Sequence, residues 1–169
     1  MQKDVSRLWA VAATLALAVA VAMTAGTPAA LAGDRHADYY YPDPNSRETY
    51  KARADMLPEA SRRSRIAFVT HVMNEMIRKN PYPPPYAIFA KGAEAEKMII
   101  VALTGDSYNT LYRMRALLAI LTAVARATPL FKEERVEDYF TYLDLCKMLG
   151  FKQLTVSDGK SFAHQIKIE

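Results

Sequence analysis

Lys97-Met98-Ile99-Ile100-Val101-Ala102-Leu103 decides the fold class. The apolar run after Lys97 has no alternation, so it reads as a strand buried on both faces. Tyr86 to Lys91 precedes it as a second strand, and the loop between carries Gly92. Gly105-Asp106-Ser107 follows as a turn and cap, and a helix then runs from Tyr108 to about Ala127. Thr128-Pro129 ends it. Its segment Ala116 to Ala125 has no charge. A helix apolar all round is a buried one, so this is expected to be the central helix of the core.

Upstream, Ser46 reads as the cap of a short helix reaching about Met56. A second helix is expected from Pro58 to Lys79, with Pro58 in its first turn. Ile66, Val69, Met73, Met76 and Ile77 form its apolar stripe; Arg65, His71, Asn74, Glu75 and Arg78 face away. Pro81-Tyr82-Pro83-Pro84-Pro85 is a stiff polyproline connection. Downstream, an amphipathic helix is expected from about Glu133 to Leu149, stopping at Gly150.

A final hairpin follows. A two-residue Asp158-Gly159 turn would split its apolar sets. A three-residue loop, Ser157-Asp158-Gly159, pairs Leu154 with Phe162 and joins them. It puts His164 on the apolar face, roughly opposite Lys152. The expected fold is therefore α+β: an antiparallel sheet of two β-hairpins with about four helices packed on it.

Residues 1–32 read as an export signal. Lys3 and Arg7 make a positive start, an uncharged run extends from Leu8 to Ala32, and Ala30-Leu31-Ala32 offers a cleavage site before Gly33. The run is long enough to anchor in a bilayer, but Gly26 and Pro28 interrupt it. The expected organisation is a signal peptide at 1–32, an extended arm at 33–45 and one α+β domain at 46–169. Cleavage after Ala32 implies a periplasmic or secreted protein that meets the membrane only transiently, through its signal segment.

Without residues 1–32 the chain keeps 20 basic and 17 acidic residues. That balance calls for no nucleic acid. Cys146 is the single cysteine, which excludes an intrachain disulfide; it reads as a small buried apolar residue or a reactive thiol. No nucleophile elbow, phosphate-cradling glycine loop or paired-histidine zinc motif occurs. The sequence therefore leans away from an enzyme and implies no cofactor.

The candidate contact residues are few. Tyr39, Tyr40 and Tyr41 in the arm either pack across the domain or meet a partner. Tyr82 sits in the proline run. Arg62, Arg63 and Arg65, with Arg53, make a cluster suited to an anion or lipid headgroups, or simply a solvated face. Arg113 and Arg115 fall in the same class. His36, Asp38 and Asp43 offer a conceivable metal site. His164 is either a base or ligand, or a histidine satisfied by a carbonyl or carboxylate.

The run from Pro81 through Gly92, then Ala95-Glu96-Lys97-Met98-Ile99-Ile100-Val101, resembles a group of small exported bacterial proteins. Tyr112 to Leu118, Met148-Leu149-Gly150-Phe151 and Ser157-Asp158-Gly159 extend the resemblance over most of the chain. The group often carries the label molybdopterin-guanine dinucleotide biosynthesis protein A. That label implies a cytoplasmic nucleotidyltransferase with an α/β fold, whose N-terminal glycine-rich loop, a lysine and Mg²⁺ hold GTP. Here an export signal stands in that loop's place, and none of that family's site residues can be placed. Three functions are thus carried forward. One is a noncatalytic exported domain that binds a protein or envelope component. The second is a guanylyltransferase of molybdenum cofactor synthesis. The third is a small-ligand or metal carrier.

Overall fold

The computed structural model describes residues 43–79, 84–104 and 107–169. The segment expected as a signal peptide and most of the expected arm lie outside the described residues. Along the rest run β1 (Ser46–Tyr50), α1 (Arg62–Lys79), β2 (Tyr86–Lys91) and β3 (Lys97–Ala102). Then come α2 (Leu111–Arg126), α3 (Pro129–Glu133), α4 (Tyr142–Met148), β4 (Gln153–Ser157) and β5 (Ala163–Ile168). The chain is α+β. Among the described residues, no helix is long and apolar enough to cross a membrane.

One five-stranded sheet has the order β1-β5-β4-β3-β2. β2 pairs with β3, and β4 with β5, in antiparallel sense. β3 and β4 are parallel, and so are β1 and β5. The expected antiparallel sheet of two hairpins is thus corrected to a mixed sheet. The helices between β3 and β4 return the chain to the end where β3 began, so β4 enters parallel. The fifth strand comes from Ser46-Arg47-Glu48-Thr49-Tyr50, which is not the start of a helix. Ser46, Glu48 and Tyr50 are half-buried, while Arg47 and Thr49 are exposed. That period of two, completed by an open sheet edge, outweighs the local capping signal of one serine.

The β4–β5 register also differs from expectation. Leu154 pairs with Ile166 and Val156 with His164. The apolar sets do join on one face, but through the longer loop 158–162. Asp158 is the reason. Its Oδ1 accepts from the backbone N–H groups of Lys160, Ser161 and Phe162 at 2.8–2.9 Å. Gly159 lies in the left-handed region at φ +75°.

Met98 to Ala102 are all buried, as their unbroken apolar run requires. Ile88, Met98, Ile100, Leu154, Val156, Ile166 and Ile168 share one core with Met114, Leu117, Leu121 and Ala125 of α2. Leu145 and Cys146 of α4 complete it. Thr110, not Ser107, caps α2, accepting from Arg113 N–H at 3.3 Å.

Two helix expectations are corrected. α2 is not buried all round: Ile120 is 60% and Val124 61% exposed. One face suffices to cover the sheet, so absence of charge on the other is no evidence of burial. The helix expected over 133–149 forms only over Tyr142–Met148, since α3 has already ended at Glu133. Arg135 at φ +55° breaks it, and Thr141 with Asp144 forms a capping box that starts α4 afresh.

Candidate functional site

Tyr39, Tyr40, Tyr41 and Tyr82 lie outside the described residues, as do His36 and Asp38. Asp43 is exposed. Among the described residues, no three His, Cys, Asp or Glu side chains are grouped as a metal site. Cys146 is buried, and burial pushes its thiol far above the ordinary range, so it is an apolar core residue rather than a reactive one.

α1 begins at Arg62 rather than Pro58. Ser61 and Ser64 cap it reciprocally: Ser61 N–H donates to Ser64 Oγ at 2.8 Å, and Ser64 N–H to Ser61 Oγ at 3.2 Å. Arg62 and Arg63 are exposed on the first turn. With Ile66, Ala67, Thr70, His71 and Asn74 they line a shallow groove of about 640 Å³ along the helix. The spacing of four residues keeps these side chains on one face.

Arg65 does not belong to that surface. It is buried, and its Nε and Nη2 donate to the Glu94 carbonyl at 3.0 and 2.7 Å. Nη1 donates to the Leu149 carbonyl at 3.3 Å. The buried side of α1 is therefore Arg65, Val69 and their neighbours Phe68, Val72 and Met73. Ile66 and Ile77, expected in the apolar stripe, are exposed. A fork of donors satisfied by carbonyls can turn inward where a lone charge cannot. Arg53 is elsewhere too: its Nη1 donates to the Tyr139 carbonyl at 2.8 Å. Four expected arginines thus reduce to two on one surface.

His164 sits on the core face of β5, opposite Val156 rather than Lys152. It is 0% exposed. Its Nε2 lies 3.1 Å from Glu48 Oε1, and the other carboxylate oxygen of Glu48 accepts from Arg115 Nη2 at 3.0 Å. The approach to His164 is close enough for an ion pair. It lies off the N–H direction, however, so neither ring nitrogen has an aligned hydrogen-bond partner. Burial raises the Glu48 carboxyl, but His164 and Arg115 outweigh it and hold the group below the usual carboxylate range. The ring has no open edge toward solvent, so it cannot reach a substrate. Sequence reasoning placed Glu48 on a helix and missed this partner, which only the pairing of β1 with β5 brings beside it.

The Ser157–Phe162 loop has the composition of an anion cradle. Its amides are spent internally, because Asp158 already fills them. Burial raises the Asp158 carboxyl; the amides of Phe162, Lys160 and Ser161 and the Ser161 hydroxyl prevail and lower it.

No protein-family model, no curated protein and no solved structure matches this chain.

Proposed function

We propose that this chain is an exported, noncatalytic binding domain, and that the outer face of α1 is its contact surface for an anionic protein or envelope component. The observation that supports this is the groove of Arg62 and Arg63 beside Ile66, Thr70, His71 and Asn74. It combines exposed positive charge with apolar area on a rigid, well-capped helix. Guanidinium groups bind carboxylate and phosphate with two parallel donors. Export is part of the reading: the processed protein should begin at Gly33, as its intact mass would show.

Capture from envelope fractions tests the surface. The chain should retain a partner that the Arg62→Glu, Arg63→Glu double variant does not, while both melt at the same temperature. Equal capture by the two would overturn the assignment. The nucleotidyltransferase reading has its own discriminator. GTP with Mg²⁺ should leave the melting temperature unmoved; a rise that grows with nucleotide concentration would favour the enzyme.

A further inference from the structure

We propose that residues 33–42 form a strap across the face of the sheet opposite the helices, and that the tyrosines 39–41 supply the rings that cover it. This proposal is independent of the α1 surface. The strand registers define the face. One row runs Ala163, Ser157, Val101, Ala87 across β5, β4, β3 and β2; the next runs Gln165, Thr155, Ile99, Phe89. The core shared with the helices lies on the other side, on Ile88, Met98, Ile100, Leu154, Val156 and Ile166. A sheet face with no second layer is wetted, and its side chains stay part-open. Here Thr155 is 0% and Ile99 2% exposed, and the whole first row is buried. The 158–162 loop covers the end of that row, since a Cβ on Gly159 would meet Val101 Cγ1 at 3.2 Å. Thr155 and Ile99 stand two residues further along, about 7 Å away, and need another cover.

Connectivity identifies the occupant. Asn45 is fixed at the corner of this face: its N–H donates to the Ala163 carbonyl and its Oδ1 accepts from the Ala163 N–H, both at 2.9 Å. The chain before Asn45 therefore sets out beside the buried row. Ten extended residues reach about 33 Å, and the three strand spacings from β1 to β3 take about 14 Å. Residues 80–83 and 105–106, also outside the described residues, are held at both ends and are too short to reach β4 and return. The width agrees. Cover ends at the third row, where Lys97 and Lys167 are exposed, so it is one extended chain wide and not a full layer. Chemistry agrees as well. A tyrosine ring lies on Ile99 while its hydroxyl finds Thr155 or Gln165. The strands present Arg47, Lys91, Lys97 and Lys167 on this face and no acid, whereas the strap carries Asp34 and Asp38 against Arg35.

Two measurements on the processed protein, beginning at Gly33, test the strap. Chymotrypsin can cut after Tyr39 or Tyr40, and these bonds should resist it while the domain is folded. Rapid clipping there would overturn the proposal. Thiol labelling then locates the cover. Cys146 is buried, so in Thr155→Cys the new thiol is the one that reports. It should resist a thiol reagent. Tyr39→Ser, Tyr40→Ser and Tyr41→Ser are added singly, so that the fold survives. At least one should raise the labelling rate about tenfold or more, as loss of a buried ring eases local opening. Ile99→Cys repeats the measurement on the neighbouring strand. Thr49→Cys, exposed on β1, should label quickly in every background. A reactive Thr155→Cys in the processed protein would overturn the strap; protection seen only in the unprocessed chain would assign the cover to residues 1–32 instead. Protection that none of the tyrosine variants relieves would overturn it too.

Discussion

Glu48 on the first strand and His164 on the last stand 3.1 Å apart, and the same carboxylate holds Arg115 of α2 at 3.0 Å. One half-exposed side chain therefore ties a sheet edge to the helix above it and stands beside a buried ring. The sign of its pH dependence follows. A carboxyl lowered in the folded state contributes stability above its unfolded value and loses it as pH falls through the folded one. Asp158 acts in the same direction.

Urea midpoints should accordingly be flat near neutrality and decline below about pH 5. Glu48→Gln should cost about 1 kcal/mol at pH 7, the upper range for an exposed pair, and should flatten part of the acid decline. An unchanged acid slope in that variant would mean that Glu48 is not one of its causes. His164→Leu should be close to neutral or stabilising, since an apolar side chain of similar size removes two polar atoms without aligned partners.

Arg65 should be far more sensitive than its exposed neighbours. Arg65→Ala leaves the carbonyls of Glu94 and Leu149 without their donors and should lose about 2–4 kcal/mol. Arg65→Lys should recover little of this, because one ammonium cannot span both carbonyls. Gly150→Ala should also destabilise: its φ is +82°, and a Cβ there would meet Arg65 Nη1 at 2.6 Å. Chemical denaturation of the three variants beside Arg63→Ala checks the ranking.

Asp158→Ala should cost about 2–3 kcal/mol by leaving three amides of the loop unpaired. Asp158→Asn keeps one acceptor oxygen and should lose less. Amide hydrogen exchange gives a local readout: Lys160, Ser161 and Phe162 should lose protection first.

Neighbouring positions on α2 should respond in opposite ways. Leu121→Asp buries an unpaired carboxylate in a site 6% exposed and should prevent folding, a loss above about 4 kcal/mol. Ile120→Asp should fold normally. Circular dichroism and melting of the two variants separate the inner from the outer face.

β2, β3 and the buried run Met98–Ala102 were legible because unbroken apolar strands between turns admit few readings. α2 and its stop at Thr128-Pro129 were equally plain. β1 was not, because five half-polar residues become a strand only when β5 supplies the other half of the ladder. The inward turn of Arg65 was hidden for a similar reason: its carbonyl partners lie 29 and 84 residues away. Of the two readings open for Cys146, burial among its apolar neighbours is the one the core shows. The break at Arg135 had no sequence signal, since arginine does not favour a positive φ.

The pairing of β1 with β5 sets an order of events during synthesis. Residues 46–50 leave the ribosome early, yet their ladder partners are residues 164–168. The first strand must wait, unzipped, for nearly the whole remaining domain to be translated. Closing so long a loop is slow and comes late. Until then, Glu48 has no imidazole beside it and the edge of the sheet is unbuilt. A nascent chain of this topology thus stays open to whatever handles unfolded polypeptides, and its last residues act as the latch.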